Sequence, residues 1–175
     1  ELINTKNLAK KHIKDYRFDE ASRVIYKFVW NSYCDWYLEF SKTIFSSKEK
    51  KHIEEVKKTS GFIFKELLVL LHSFIPFITE ELWLKNKLGS KKNKFLMHTP
   101  WIKDEKVQND KEISNVNQLI DVISKIRSFK NELNVSPGSF IDISIKNVSS
   151  EKQKLFLKNE VVFKKLGRIN SILSE

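Results

Sequence analysis

The stretch IEEVKKTSGFIFKELLVLLHSFIPFITEELW, which runs from Ile53 to Trp83, decides the fold. Its seam residues recur at alternating steps of three and four, and this heptad-like spacing predicts a helix inside an antiparallel bundle. The seam comprises Ile53, Val56, Ser60, Ile63, Leu67, Leu70 and Phe74. Pro76 lacks an amide hydrogen and clashes with the preceding turn, so the helix must end or kink there. A second, shorter helix is predicted from Phe77 to Leu88.

The stretch before this seam, from Phe18 to about Phe40, predicts a helix that is packed on most sides. Its apolar residues cover more than half of a helical wheel, which is too wide for a surface helix with one core stripe. The polar remainder is a narrow, partly basic stripe of Glu20, Arg23, Lys27, Asn31 and Cys34. The tryptophans Trp30, Trp36 and Trp83 have apolar neighbours and are predicted to lie in the core.

The end of the chain has a different pattern. A helix is predicted from Asp110 to Leu133, and Pro137-Gly138 marks a turn. Ile141, Ile143 and Ile145 alternate with polar residues, as in one half-buried strand, whose partners must lie in the tail or outside the chain. The fold class is therefore mainly α, with a helical bundle over residues 1–108. Residues 109–175 form a long helix, a strand and a helix, the start of a small α/β module.

Composition narrows the class of protein. The chain has 175 residues, 41% of them apolar, with a formal net charge of +10. This charge permits contact with polyanions, but a merely solvated lysine surface explains it equally well. A single cysteine, Cys34, excludes an internal disulfide and fits a reducing compartment, so a cytoplasmic location is expected. No apolar run reaches about 18 residues, so no membrane span and no membrane partner are expected. The chain opens without Met, which suggests a piece of a longer protein.

No catalytic, metal or cofactor site is predicted. The histidines are far apart in sequence and form no ligand pair, and there is no Gly-rich phosphate loop or Gly-x-Ser-x-Gly elbow. His72 lies on an apolar helix and is predicted to be packed and hydrogen-bonded. Cys34 has no neighbouring histidine to activate it as a nucleophile.

Four blocks of the chain closely resemble valyl-tRNA synthetases in sequence, order and spacing. They are YRFDEA with FVWNSYCDWYLE (residues 16–21 and 28–39), LHSFIPFITEELW (71–83), Pro-Trp (100–101), and IRSFKNE with VSPG (126–132 and 135–138). Class I synthetases for isoleucine and leucine share the break at Pro76 and the EELW ending. The CDWYLE block favours the valine enzyme.

This resemblance implies a helical bundle of the class I synthetase anticodon-binding type, which binds the anticodon stem and loop of valine tRNA. It also implies a parent valine–tRNA ligase that joins valine to its tRNA with ATP and Mg²⁺. The catalytic and editing domains of that parent would be the partners of this fragment within one chain. The family's catalytic signatures, His-Ile-Gly-His and Lys-Met-Ser-Lys-Ser, are absent here, so this fragment is expected to bind tRNA without catalysing the reaction.

Candidate tRNA contacts are basic or polar side chains that lie near helix ends or along the stripe, because a tRNA loop presents phosphates and unstacked bases. They are Lys10, Lys11, Lys14, Arg17, Arg23, Lys27, Asn31, Arg127 and Lys130. An alternative for the stripe is that Glu20 neutralises Arg23 and the stripe faces another helix.

Three functions are open at this stage. The first is binding of valine tRNA, and the second is the same role in an isoleucine or leucine synthetase. The third is a non-catalytic helical module that binds protein partners, which predicts no affinity for tRNA and an apolar surface patch.

Overall fold

A computed structural model describes residues 1–46, 49–91, 94–101, 110–146 and 148–174. The fold is mainly helical with a small parallel sheet near the end of the chain, so the predicted fold class is confirmed. In chain order the elements are α1 (Leu2–Lys14), α2 (Phe18–Lys27), a π-helical segment (Phe28–Leu38), α3 (Glu39–Phe45), α4 (Lys50–Leu71), α5 (Pro76–Lys85), a 3₁₀ turn (Leu96–His98), α6 (Asp110–Glu132), β1 (Ile141–Ile145), α7 (Ser150–Lys158), α8 (Glu160–Gly167) and β2 (Ile169–Ser174).

The chain divides into two compact units. The first comprises the described residues of 1–38 and 47–107, and the second those of 39–46 and 108–175. The boundary predicted from the sequence, between residues 108 and 109, lies outside the described residues. No helix in the described ranges combines the length and apolarity that crossing a bilayer requires.

The first unit has a core built mainly from α1, α2, α4 and α5. Its buried members are Ala9, Ile25, Phe28, Leu67, Leu68, Val69, Leu70, Trp83 and Leu96. Trp83, 2% exposed, donates its indole N–H to the Lys94 carbonyl at 3.1 Å, so its predicted core position is confirmed. The buried Lys6 ammonium lies 2.6 Å from the Glu66 carboxylate and joins α1 to α4.

The helix break at Pro76 is confirmed. The α4 helix ends at Leu71, and α5 begins at Pro76, the first helical position, where proline's missing N–H costs nothing. Thr79 Oγ1 donates to the Ile75 carbonyl at 2.9 Å and lies 2.8 Å from His72 Nδ1. The Pro76 carbonyl lies 3.0 Å from the same hydroxyl, and the tautomer of His72 decides which partner supplies the hydrogen of the His72–Thr79 bond. His72 is thus packed and hydrogen-bonded across the break, as predicted.

The predicted single helix from Phe18 to Phe40 changes type along its length. It is α-helical to Lys27, π-helical from Phe28 to Leu38, and α-helical again in α3. In both types of helix four residues are close to one turn, so residues four apart lie on nearly the same face. Tyr33 and Tyr37 stack in this way, with ring centroids 5.5 Å apart. The prediction that this stretch is packed on most sides is wrong for its first half, since Phe18, Tyr26 and Trp30 are more than half exposed.

The second unit contains the predicted strand and its partner. Residues Ile141, Ile143 and Ile145 of β1 are half-buried and alternate with exposed neighbours, and the strand pairs in parallel with β2. The partner strand therefore lies in the tail, which was one of the two expectations. Helices α7 and α8 make the crossover that a parallel pair requires.

Candidate nucleic-acid interface

The end of α1 places basic side chains at the surface of the first unit. The α1 helix ends in a Schellman-type turn, in which Tyr16 adopts a left-handed conformation (φ 57°) and the Arg17 amide donates to the His12 carbonyl at 2.8 Å. Lys11 and Lys14 in the last turn are exposed, and positive charge is favourable at a helix C-terminus. Lys10 is half-buried.

Glu20 on α2 connects two of the predicted contacts. Its Oε1 atom lies 3.1 Å from a guanidinium nitrogen of Arg17 and 3.1 Å from one of Arg23. The prediction that Glu20 pairs with Arg23 is confirmed. The Arg23 side chain nevertheless stays 69% exposed, so the prediction that another helix covers it is wrong. An exposed pair of this kind is weak, and both guanidinium groups remain accessible to an anion.

The stripe continues from α2 into the π-helical segment. Lys27, at the last position of α2, and Asn31, in the π-helical segment, are both exposed. Together with Lys11, Lys14, Arg17 and Arg23 they form what we call the basic face. Between residues 10 and 27 the sequence has six Lys or Arg and three Asp or Glu, so this part of the surface carries a net positive charge.

Arg127 and Lys130 belong to the second unit and hold backbone carbonyls. Arg127 donates to the Leu166 carbonyl through Nε at 3.2 Å and through a terminal nitrogen at 3.0 Å. Lys130 is only 4% exposed, and its ammonium donates to the Pro137 and Ser139 carbonyls. The structure therefore gives both residues a stabilising role, and we place neither in the basic face.

Of the three tryptophans predicted to lie in the core, only Trp83 is buried there, whereas Trp36 is half-buried. Trp30 was predicted to lie in the core, but it is 56% exposed, and that prediction is wrong. Its ring is parallel to that of Tyr26, with 2° between the planes and 6.2 Å between the centroids. Tyr26 was not among the residues predicted from the sequence. The sequence feature that could have indicated it is that Tyr26 precedes Trp30 by four residues, with the basic Lys27 between them.

A groove opens beside the basic face. It has a volume of about 440 Å³ and is lined mostly by apolar side chains of α2 and of the α4–α5 junction. Its lining residues are Ser22, Arg23, Ile25, Tyr26, Val29, Leu71, Phe74 and Ile75. The volume is within the range of small-ligand sites.

The Glu80 carboxylate has a structural role, and the Cys34 thiol is free. The Glu80 carboxylate accepts the amide hydrogens of Leu96 at 2.9 Å and Met97 at 3.2 Å, and so fixes the 3₁₀ turn against α5. Cys34 is a half-buried free thiol. Over the described part of the chain, no cluster of three His, Cys, Asp or Glu side chains is arranged to hold a metal ion.

Comparison with known proteins defines the class. The profile of a family described as the anticodon-binding domain of tRNA ligase matches residues 1–145. The chain therefore belongs to the anticodon-binding domains of tRNA ligases, and the family expected from the sequence is confirmed.

Individual relatives narrow this class further. The chain is 53% identical over all its 175 residues to the valine–tRNA ligase of Pelagibacter ubique, and covers 20% of that protein. It is 33% identical over 173 residues to the valine–tRNA ligase of Agrobacterium fabrum, and 34% identical over 173 residues to that of Rhizobium meliloti. These alignments include 98% of the chain and 18% of each relative. The chain thus spans about a fifth of the length of the relatives it matches.

Proposed function

We propose that this chain is the anticodon stem-loop-binding portion of a valine–tRNA ligase. The observation that carries the proposal is the similarity along the whole chain to proteins of that name, within a family of anticodon-binding domains. The alternative of an isoleucine or leucine synthetase has less support, since the relatives described above are valine–tRNA ligases.

The basic face is the surface that suits this role. A tRNA stem presents closely spaced phosphates, and Lys or Arg side chains that neutralise them release counterions and gain affinity. Lys11, Lys14, Arg17, Arg23 and Lys27 are exposed on consecutive helices of one unit. In our proposal they contact the backbone of the anticodon stem.

In this proposal, the attachment of valine to the bound tRNA is carried out by other parts of the parent protein. That protein would use ATP and Mg²⁺ to attach valine to its tRNA, with catalytic and editing domains as partners of this chain. We expect it to work in the cytoplasm, where tRNA is charged. This chain would contribute the binding and selection of tRNA and hold no cofactor.

Binding to matched tRNAs tests the proposal. The 175-residue chain is titrated with valine tRNA and with transcripts that differ from it only in the anticodon. Valine tRNA should bind about 5- to 150-fold more tightly, since one well-placed base contact is worth about 1–3 kcal/mol. The absence of any tRNA binding would instead favour the non-catalytic helical module that binds proteins.

A further prediction is that the chain is catalytically silent, because it lacks both catalytic signatures of the family. Incubation with valine, ATP and labelled pyrophosphate should give no exchange above the background without protein. Valine-dependent exchange by the purified chain would contradict this division of roles.

A further inference from the structure

Two large aromatic side chains lie side by side on the surface of the first unit. Tyr26 is 65% exposed and Trp30 is 56% exposed, and their rings are parallel within 2°. The centroid distance of 6.2 Å is that of an offset pair, in which each ring covers only part of the other. Most of this flat apolar surface therefore faces solvent.

The pair spans the change of helix type between α2 and the π-helical segment. Tyr26 is in the last turn of α2, and Trp30 is in the first turn of the π-helical segment. Four residues exceed one turn of an α-helix, but fall short of one turn of a π-helix. A four-residue step across the junction therefore comes close to one full turn, which brings the two side chains to the same side. The backbone holds the rings in this position.

The pair is continuous with the groove. Tyr26 belongs to both, and Val29, which precedes Trp30, lines the groove beside it. The opposite wall is formed by Leu71, Phe74 and Ile75 at the α4–α5 junction. A flat ligand on the rings thus has an apolar space next to it.

The charges around the pair indicate an anionic ligand. Arg23 lines the groove, and Lys27 directly follows Tyr26 in sequence and is exposed. Glu20, the carboxylate bonded to Arg23, is shared with Arg17, so one negative charge faces two guanidinium groups. Asp19 adds a second exposed carboxylate on α2. The cations Arg17, Arg23 and Lys27 still outnumber these two acids.

A flat aromatic surface bordered by cations suits an unpaired nucleobase with its phosphate. Every base has a π-face that stacks on an aromatic side chain, and the phosphate that links it to its neighbour is attracted by Lys and Arg. A protein segment would bring apolar side chains to the groove but has no need of the cations.

We propose that the Tyr26–Trp30 pair is a stacking site for an unpaired base of the bound RNA loop, with Arg23 and Lys27 contacting the adjacent phosphates. This inference rests on the proposed function and identifies which part of the RNA meets this surface. It adds a base contact to the phosphate contacts of the basic face. Loss of the pair should therefore affect looped RNA more than paired RNA.

Two RNA probes separate stacking from charge attraction. One is the anticodon hairpin of valine tRNA with 2-aminopurine in its loop, and the other is a fully paired duplex with the same number of phosphates. Binding of the chain to the hairpin should quench the 2-aminopurine fluorescence. Replacing Trp30→Leu should remove the quenching and weaken hairpin binding about 5- to 150-fold, the equivalent of 1–3 kcal/mol for one stacked base. Duplex binding should hardly change, and Trp30→Phe should restore much of the hairpin affinity.

A matched control is Phe62→Leu, which removes another exposed aromatic ring, on α4 of the same unit. It should leave both affinities unchanged, and thermal unfolding of each variant checks that the fold is intact. If Trp30→Leu and Tyr26→Leu leave hairpin affinity and quenching unchanged, the stacking site is wrong, although RNA binding stands. The groove would then remain a surface for a protein segment. If the unaltered chain binds neither RNA, the proposed function fails as well.

Discussion

At the scale of single residues, charge alone does not distinguish a surface lysine from a structural one. Lys130 and Lys27 have the same side chain, but Lys130 is buried and donates to two carbonyls, whereas Lys27 is exposed. The long stem of lysine can carry its ammonium group to a carbonyl distant in sequence. Spacing on a helix cannot show this, because the acceptors, Pro137 and Ser139, lie beyond the helix end.

The role of Lys130 can be measured by replacing it. Lys130→Met keeps much of the volume but leaves the Pro137 and Ser139 carbonyls without their donor. Hydrogen bonds to a charged group contribute about 1.5–3 kcal/mol, so the free energy of unfolding should fall by about this amount in urea denaturation. The control is Lys125→Met on the same helix, where the lysine is exposed and pairs with Asp121 at 2.8 Å. Its effect should stay within about 0.5 kcal/mol, and equal losses in the two variants would contradict the assignment.

Asp142 on β1 gives the sheet a dependence on pH. Hydrogen bonds from the Ser171 hydroxyl and the Asn170 amide lower the pKa of its carboxyl group. A lowered pKa in the folded state means that the ionised group stabilises the fold above its unfolded pKa, near 4, and that this contribution is lost as pH falls through the folded pKa.

Comparing variants across pH measures this contribution. Asp142→Asn should be less stable than the unaltered chain at neutral pH, and the gap should close as the pH falls below about 4. Ser171→Ala removes the main donor, so Asp142→Asn should cost less stability when it is made in the Ser171→Ala background. Urea midpoints at several pH values measure these gaps. A gap that stays constant down to pH 2 would show that ionisation of Asp142 contributes nothing.

At the scale of elements, the sequence predicted what depends on periodicity or on proline. The seam of α4, the long helix α6 and the alternation in β1 each extend over enough residues for their period to be recognised. The break at Pro76 follows from the covalent structure of proline. These elements form where local pattern and tertiary packing agree.

Three local features required information that the sequence pattern lacks. The π-helical segment has the same apolar residues as an α-helix of that length, and only packing selects the wider turn. The strand β2 is short, and its pairing with β1 depends on a crossover through two helices. At the end of α3, the Ser46 hydroxyl donates back to the Lys42 carbonyl at 2.9 Å, a bond that no sequence period indicates.

The junction between α4 and α5 can be tested with two matched substitutions. Thr79→Val keeps the shape of a buried side chain but leaves the Ile75 carbonyl and His72 Nδ1 without their hydroxyl partner. It should lower the free energy of unfolding by about 0.5–1.5 kcal/mol, the net contribution of one hydrogen bond, because the Ile75 carbonyl keeps the Thr79 amide hydrogen. Thr99→Val is the control, because Thr99 Oγ1 is shielded from solvent and makes no hydrogen bond among the described residues. Its effect should be close to zero or stabilising, and a larger loss for Thr99→Val would contradict the hydrogen-bond account of the junction.

At the scale of the whole molecule, a net charge of +10 predicts attraction to polyanions but not where they bind. The stripe of Arg23, Lys27 and Asn31 was predicted from its helical spacing, and the structure places all three at the surface. Trp30 was assigned to the core because its neighbours in sequence are apolar, but the structure places it at the surface. The charged part of the candidate interface could therefore be predicted from the sequence, whereas its aromatic part could not.

The salt dependence of tRNA binding tests the basic face as a whole. Each phosphate that a lysine or arginine neutralises releases counterions, so the logarithm of affinity should fall with the logarithm of salt concentration by about 0.7–0.9 per contact. Replacing Arg23→Gln and Lys27→Gln together should flatten this slope by up to about two units. Stability should hardly change, since exposed charges rarely contribute more than about 1 kcal/mol.

The matched control is Lys57→Gln with Lys58→Gln, two exposed lysines on α4 outside the basic face, which should leave the slope as it was. An unchanged slope in the Arg23 and Lys27 variant, with the fold intact, would mean that the RNA lies against a different surface of the chain.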